Sequence, residues 1–327
     1  MSDVQRKIVS DAEKDQRLDR WFKNRYPDLP RSALQKLLRT GQVRVDGKRT
    51  KAGLRLKAGQ EIRVPPIKTK LSMKEGIQRP VDEADAQLLR ERMIHIDDNL
   101  IAIDKPAGLA VQGGSNTSRH LDGMLDALRF DAEERPKLVH RLDKDTSGVM
   151  VLARNSRAAR ELSRAFSSRD VRKVYWALVV GVPNLDKGRI DLPLIKGGGS
   201  GRERVSVDNN GKRAVTDFQI VNRAGSRLSW LAMWPRTGRT HQLRAHCAAI
   251  GTPILGDGKY GGKAAFIEGL PPVGRQLQLL AHEVVLPDLF GQGVVRIVAA
   301  LPPHMNELWQ MFGLELEVAT RSLAEIN

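Results

Sequence analysis

The sequence predicts an α+β fold in which a large mixed, mostly antiparallel sheet with flanking helices follows a small α+β domain. After residue 92, segments with strand periodicity outnumber helical segments, and several lie close enough together for antiparallel pairing. The pattern before residue 65 is that of a separate small unit. With 41% hydrophobic and 28% charged residues among 327, the chain can bury a sizeable core.

The first domain, residues 1–65, combines two short helices with small strands. Leu18 and Phe22 stand four residues apart on the first helix, and a second helix with three leucines on its inner face follows. Val43 and Val45 then alternate with polar residues ahead of an Asp-Gly turn, which is typical of a hairpin.

The second domain is predicted over residues 92–327, after a polar and aperiodic linker at residues 66–91. It opens with a hairpin at residues 94–103, and a helix begins at Ser156. Further strands are predicted at residues 149–152, 174–180, 214–221, 228–234, 279–286 and 294–299, and further helices at 240–249 and 306–312. The glycine-rich segment at residues 197–213 has no phosphate-loop motif and is interpreted as a hairpin or insertion.

Positive charge is concentrated at the N-terminus. The formal net charge is +16, and the first 70 residues contain 19 Lys and Arg against 8 Asp and Glu. This distribution is typical of a polyanion-binding domain. A solubility element or a membrane-surface patch is the alternative, disfavoured because the basic segment is patterned as a folded unit. The candidates for phosphate contacts are Arg31, Lys36, Arg39, Arg44 and Lys48.

The composition indicates a cytoplasmic protein without a membrane partner. A single cysteine, Cys247, excludes an internal disulfide framework and fits a reducing compartment. The N-terminus lacks the apolar core of a signal peptide, and the apolar runs are too short and interrupted to cross a bilayer.

Three polar segments stand at the ends of predicted core elements. VHRLDKDTSG (139–148) precedes an apolar strand, KVYWALVVG (173–181) begins one, and RTGRTHQLRAH (236–246) lies where a strand gives way to a helix. Together they supply a carboxylate, a tyrosine and an arginine, which is the set that a buried polar site needs. The structural alternative is a polar loop whose acidic and basic residues only pair with one another.

These segments resemble the RluA/RluC family of RNA pseudouridine synthases. HRLDKDTSG fits the family signature HRLDxxTSG, KPAGLAV (105–111) fits KPxGxxV, and GRTHQLRAH fits GRTHQ(L/I)RxH. The first domain is similar to the S4 RNA-binding domain that many members carry, and the two resemblances cover nearly the whole chain apart from the linker. The GGS after Gln112 is closest to the RluC type, whereas Ala281-His282-Glu283 departs from an expected Leu-His-Ala.

The resemblance implies isomerisation of uridine to pseudouridine in RNA. It assigns Asp143 to act at C1′, as nucleophile or proton abstractor, and Arg244 to pair with it. Tyr175 corresponds to the tyrosine that stacks on the target uracil, and Arg141 to the arginine that fills the gap left by the flipped base. The chemistry requires no cofactor and no metal, and one chain suffices, so a monomer is expected. Large-subunit ribosomal RNA is the expected substrate, with transfer RNA as the alternative.

Two other functions stay open on the sequence alone. One is an RNA-binding ribosome assembly factor with an inert catalytic-like domain. The other is a metal-dependent hydrolase using His140, His241 and His246 with Asp143, disfavoured because the last two histidines are five apart on a predicted helix. A second carboxylate, Asp145, is interpreted as structural, because neighbours two apart in a loop rarely face one bond.

Overall fold

In the computed structural model the chain forms two compact units, Met1–Pro80 and Val81–Asn327. The structure describes residues 4–26, 29, 31–67, 81–114, 117–168, 170–197, 204–289 and 291–315, apart from the side chains of Ala12, Arg31 and Ser32. None of the helices in these ranges combines the length and apolarity that crossing a bilayer requires.

Within its described residues, the first unit contains two α-helices and a four-stranded antiparallel sheet. The strand order is β1-β4-β2-β3. Apolar side chains from both helices and from β2 and β4 form one core, around Trp21 and Phe22. The elements are β1 (Gln5–Ile8), α1 (Leu18–Arg25), α2 (Arg31–Arg39), β2 (Arg44–Val45), β3 (Lys48–Arg49) and β4 (Glu61–Val64).

Strand β1 was not predicted, because its sequence QRKI lacks apolar alternation and most of its residues are exposed. The predicted linker also needs correction. Residues 68–80 lie outside the described part of the chain, but residues 83–91, predicted to belong to an aperiodic linker, form a helix, α3 (Glu83–Glu91). Asp82 caps this helix by accepting from the Ala84 amide, and Leu89 is buried in the core of the second unit. Only two of the nine residues of this helix are buried, so its sequence has too weak a hydrophobic periodicity to predict a helix.

The second unit is built on one large sheet with helices packed against it. Its helices are α4 (Leu121–Met124), α5 (Ser156–Ser168), α6 (Gln242–Ala249) and α7 (Pro303–Met311), after α3. Its strands are β5 (Met93–Ile96), β6 (Leu100–Lys105), β7 (Lys137–Leu138), β8 (Ser147–Ala153), β9 (Arg172–Val180), β10 (Lys187–Asp191), β11 (Leu194–Gly197), β12 (Arg204–Val207), β13 (Val215–Ala224), β14 (Leu228–Pro235), β15 (Leu279–Pro287) and β16 (Val294–Val298).

Within the described residues this sheet has ten strands, in the order β10-β13-β14-β9-β15-β8-β6-β5, with β16 pairing β15 and β7 pairing β8. Every pairing is antiparallel except that of β15 with β8, which is parallel. The predicted fold class, a mixed and mostly antiparallel sheet with flanking helices, is therefore confirmed.

The central strand β8 explains why the first polar motif is followed by an uninterrupted apolar run. Val149 and Val151 face one core, which contains Trp176 and Trp230, whereas Met150 and Leu152 face another. A strand buried on both faces reads as continuous hydrophobicity. The loop before β8 therefore delivers its polar residues at the edge of a rigid, fully buried element.

The glycine-rich segment forms the predicted hairpin. Strands β11 and β12 pair with each other antiparallel, and residues 198–203 between them lie outside the described part of the chain. Val205 packs near Ala245 of α6, and its amide donates to the Tyr260 hydroxyl at 3.2 Å. The hairpin is thereby attached beside α6, the helix that contains the end of the RTGRTHQLRAH motif.

Candidate active site

The three polar motifs converge on one cavity of about 310 Å³. Asp143, Tyr175 and Arg244, singled out from three separate segments, all line it, as does Arg141. Strand pairing explains the convergence, because β15 pairs with β8 on one side and with β9 on the other. The loop entering β8 and the start of β9 are thus held near each other by backbone hydrogen bonds.

A buried lysine holds the loop that carries Asp143. Lys105, at the end of β6, has no exposed surface. Its Nζ donates to the carbonyl oxygens of Pro106, Leu109 and Lys144, at 2.9, 3.0 and 3.1 Å. Burial lowers the pKa of Lys105 to about 8, against the opposing effect of Asp145 and Asp143. The lysine of the KPAGLAV motif therefore joins that loop to the aspartate loop, a role the sequence did not reveal.

The glycine that ends HRLDKDTSG is required by packing. Gly148 has a φ of +108°, and a Cβ at this position would lie 2.2 Å from the carbonyl oxygen of Ala281 on β15. Only glycine allows the two strands to approach this closely in that conformation. The parallel pairing of β8 with β15 fixes the direction of the loop that carries Asp143, and this pairing depends on Gly148.

Tyr175 lies near the start of β9 with its side chain on the cavity wall. Burial raises the pKa of its phenol, and the negative charge of Asp143 raises it further. The hydroxyl is thus neutral at physiological pH. Arg141 is exposed at the cavity rim, two residues before Asp143, so it is free to reach a ligand at the mouth.

Arg244 reaches the cavity, but within the described residues its ion pair is with Asp257 rather than with Asp143, so the direct pairing expected from the sequence stays a prediction. Its guanidinium makes a bidentate contact with Asp257, with Nε to Oδ2 at 2.8 Å and Nη2 to Oδ1 at 2.7 Å. Both side chains are buried. Burial acts to lower the pKa of Arg244, but the hydrogen bonds and charge of Asp257 outweigh it and raise the pKa. Asp143 contributes to this field through space.

The basic side chain recorded beside Asp143 is His241, whose Nε2 lies 3.8 Å from Oδ1 of the aspartate. His241 was predicted to lie within the helix at residues 240–249. In the structure it occupies the N-cap position, just before α6 begins, with φ 49° and ψ 26°. A left-handed backbone is uncommon for a non-glycine residue, and such outliers concentrate at functional sites. Tyr260 fixes the ring, with its Oη 2.7 Å from Nδ1.

Asp257 and Tyr260 were missed from the sequence. They lie in a loop, GDGKY, where no periodic pattern indicates which way a side chain faces. The available signal was an acidic residue and a tyrosine between glycines just after the GRTHQLRAH helix. Tyr260 joins the two halves of the site, since its ring also lies 5.2 Å from the guanidinium of Arg244 and its amide donates to Asp257.

His140 anchors the aspartate loop to β8. Its Nε2 accepts from the Val151 amide at 2.8 Å, and its ring stacks on Phe166 of α5 at 4.3 Å. Burial, assisted by the positive charge of Lys173, lowers the pKa of His140 to about 3. The imidazole is therefore neutral at physiological pH, with Nε2 unprotonated, consistent with its acceptor role.

Acid is expected to destabilise the fold through this residue. An unfolded histidine binds its proton near pH 6.5, whereas His140 in the folded state does so only near pH 3. Between those values the unfolded state binds the extra proton, so stability is complete above pH 6.5 and declines as pH falls toward 3. Chemical denaturation of His140→Gln should show lower stability at pH 7.5 than wild type, and a pH slope between 6.5 and 4.5 that is shallower by about one proton.

The control for this experiment is Phe166→Leu, which removes the stacking partner and leaves the titrating ring. It should lower the free energy of unfolding at every pH without reducing the slope. An unchanged slope in His140→Gln would contradict the assignment of the proton to this residue.

The remaining residues of the metal and acid–base alternatives are placed elsewhere. His246 is buried and contacts the Thr216 hydroxyl and the Leu192 carbonyl, at 2.9 and 3.1 Å. Asp145 is exposed and is absent from the cavity lining. Among the described residues, no group of three or more His, Cys, Asp and Glu is arranged to hold a metal ion. Cys247 is buried, and burial raises its thiol pKa to about 12.

The predicted phosphate contacts in the first unit do not form one surface. Lys36 and Arg39 are exposed on α2, and Arg44 and Lys48 are exposed on β2 and β3. The side chain of Arg31 lies outside the described part of the chain. Because Arg44 pairs with Arg49 and Val45 pairs with Lys48, Arg44 and Lys48 project from opposite faces of the sheet.

The departure at Ala281-His282-Glu283 is accommodated by an ion-pair cluster. A bulge in the β15–β9 pairing falls at His282, whose ring stacks on Trp176 at 3.4 Å. Glu283 is buried, and its carboxylate contacts Arg172 of β9 and Arg296 of β16. The unexpected acid is thus neutralised by arginines on both neighbouring strands.

Comparison with known proteins agrees with the fold and the motifs. The family model for RNA pseudouridylate synthase matches residues 99–249, and the S4 domain model matches residues 16–62. The chain is 36% identical to ribosomal large subunit pseudouridine synthase C of Rickettsia bellii, over 89% of this chain and 96% of that protein. It is likewise 36% identical to the protein of that name from Vibrio cholerae, over 75% and 77%.

A solved structure, human RNA Pseudouridylate Synthase Domain Containing 4, is similar with a TM-score of 0.59 and 30% identity, over 71% of this chain and 96% of that one. The chain therefore belongs to the RNA pseudouridylate synthase family, and it carries an S4 domain in front of the synthase domain. It is an isomerase that acts on RNA.

Proposed function

We propose that this enzyme isomerises uridines in large-subunit ribosomal RNA, with Asp143, Tyr175 and Arg244 as its central residues. One observation carries the assignment of the site: these three side chains, from three distant segments, line a single cavity. Its volume of about 310 Å³ is at the lower end of the range for small-molecule pockets, and suits one extruded nucleoside. The choice of ribosomal RNA is supported by the names of the relatives from Rickettsia bellii and Vibrio cholerae.

The reaction exchanges one bond for another without net addition of atoms. The bond between C1′ and N1 breaks, the uracil turns, and C1′ bonds to C5. The proton on C5 leaves and N1 gains one, so no electrons are transferred to an external group. One carboxylate at C1′ is sufficient, because the leaving base is also the acceptor and nothing is hydrolysed. We assign that carboxylate to Asp143, acting as nucleophile or proton abstractor.

The other residues position the base and the charge. Tyr175, neutral because its pKa is raised, offers a flat ring on the cavity wall for stacking on the uracil. Arg244 contributes positive charge to the cavity, and Asp257 fixes its orientation by the bidentate contact. Asp143 is thus held among cations without being neutralised by a direct guanidinium contact, so its oxygens stay available to the sugar.

Access to C1′ and C5 requires the uridine to leave the RNA stack. Extruding a nucleotide costs a few kcal/mol. Stacking on Tyr175 is expected to recover about 1–3 kcal/mol. We assign to Arg141 the filling of the space that the base vacates, which its exposure at the cavity supports. The same proposal has the enzyme act in the cytoplasm and as a monomer, because Asp143, Tyr175 and Arg244 come together within one chain and the reaction requires no residue from a second.

The substrate assignment is tested by mapping pseudouridines in total RNA from cells with and without the gene. Loss of specific pseudouridines from large-subunit ribosomal RNA, restored by the wild-type protein and not by an Asp143→Asn variant, is the expected result. Loss confined to transfer RNA would replace ribosomal RNA by that substrate. Unchanged maps in both RNA classes, with altered subunit assembly, would favour the assembly-factor alternative.

A further inference from the structure

The sheet of the first unit carries a row of four arginines across its strands. Arg6 on β1 is the register partner of Arg63 on β4, Arg63 is the partner of Arg44 on β2, and Arg44 is the partner of Arg49 on β3. Register partners project from the same face of a sheet. One arginine from every strand therefore lies in a single line, which we call the arginine row.

The arginine row occupies the face opposite the core. The neighbouring residues Val45 and Ile62 are buried against the helices, so Arg44 and Arg63, one position away on the same strands, face outward. Adjacent strands lie about 4.8 Å apart, so four strands spread the row over roughly 14 Å. A shallow depression of about 410 Å³ lies over three of the four arginines, lined by Arg6, Arg44, Gly47, Glu61 and Arg63.

This arrangement is unfavourable for the unit by itself. Like charges directly opposite each other on neighbouring strands destabilise a sheet. In the described part of the chain, the ion pair recorded for the row is that of Arg6 with Glu61 at 3.3 Å, and the Arg6 side chain stays 71% exposed. The two inner arginines donate to backbone carbonyls, Arg63 to Gln42 and Arg44 to Gly41 and Gly47. Carbonyl contacts order these side chains without cancelling their charge.

We propose that the arginine row is an RNA-binding surface that grips the phosphate backbone, separate from the basic residues of α2. Charge complementarity selects the ligand, since four guanidiniums in line with one carboxylate match a polyanion with regularly spaced charges. Arginine suits phosphate better than lysine does, because its planar fork makes two parallel hydrogen bonds. The surface was invisible in the sequence, where Arg6 and Arg63 are 57 positions apart.

The test uses the two outer arginines of the row, Arg6 and Arg49, because the two inner ones also donate hydrogen bonds to backbone carbonyls. Arg6→Gln with Arg49→Gln, in the full-length chain, removes two charges while leaving the core intact. The matched control is Lys51→Gln with Lys57→Gln, which removes two charges from exposed positions in the connection between β3 and β4. Binding to a duplex RNA of about two helical turns is measured over a series of KCl concentrations, and thermal unfolding confirms that both variants are folded.

The row variant should lower the slope of log affinity against log salt by about 1.4 to 1.8, the contribution of two phosphate contacts. The control pair should leave the slope near that of wild type. Equal slopes in the row variant and wild type would overturn the proposal, and so would an equal loss in the control pair. The proposal rests on the proposed function only in that the ligand is RNA. Because the assay measures binding and no isomerisation, its failure would leave the assignment of the cavity untouched.

Discussion

Replacing Asp143 by Asn is expected to abolish pseudouridine formation, with a loss of at least about 10⁴-fold in rate. The amide keeps the shape of the side chain and its place on the cavity wall, but it lacks the negative charge and the nucleophilic oxygen that C1′ requires. Release of tritium from RNA labelled at C5 of uridine measures the effect directly, because the new bond to C1′ displaces that hydrogen. RNA affinity should remain near the wild-type value, since the basic residues of the first unit are unchanged.

Asp145→Asn is the matched control for this experiment. It makes the same chemical change two residues away in the same loop, at an exposed position outside the cavity lining. Its tritium release should stay within a few-fold of wild type. If the two variants lost activity equally, the loop as a whole would be responsible rather than the carboxylate at 143. If Asp143→Asn stayed active, the proposed chemistry would be wrong.

The sequence predicted the location of the site because its chemistry is coupled to local pattern. Asp143 lies in the loop that leads into β8, and Tyr175 lies near the start of β9, so both are polar residues close to the end of an apolar strand and are recognisable without a structure. The family resemblance then related the two segments to each other. The position of a residue at the end of a strand does not, however, show which other side chains it contacts.

The partner of Arg244 illustrates this limit. Asp257 is 13 positions further along the chain, in a loop without periodicity, and its contact with Arg244 depends on the path between α6 and β15. His241 was placed inside a helix by sequence spacing, whereas its left-handed backbone turns the ring toward Asp143. Neither feature follows from residue types alone, because both are set by tertiary packing.

In the fold, too, the features that follow from local sequence were predicted and those that depend on tertiary pairing were not. Strands with apolar alternation were found nearly in place, but β1 was missed because it is an exposed edge strand of polar residues. Its pairing with β4 is what aligns Arg6 with Arg63, so the arginine row could not be anticipated either. The strand register brings arginines that are distant in the sequence together on one surface. This register is determined by how the strands pair and not by the local sequence.

Asp257→Asn is expected to cost about 3–5 kcal/mol in the free energy of unfolding, because it leaves the buried guanidinium of Arg244 without a compensating charge. Activity should also fall by at least about 10²-fold, since misplacing a positioning group by an ångström has effects of this size. In the same variant a single carboxamide oxygen has to accept from both Arg244 and the Tyr260 amide, and this tyrosine holds His241 beside Asp143. Denaturant unfolding and tritium release measure the two effects on the same preparation.

The double variant Arg244→Gln with Asp257→Asn separates stability from catalysis. Removing both charges eliminates the uncompensated cation, and replacing a whole buried pair is often close to neutral, so most of the lost stability should return. Activity should not return, because the positive charge on the cavity wall is then absent. A double variant as unstable as Asp257→Asn would show that the ion pair is not the source of the loss. A double variant with restored activity would show that the cavity needs no cation at 244, and the role of Arg244 would then reduce to packing.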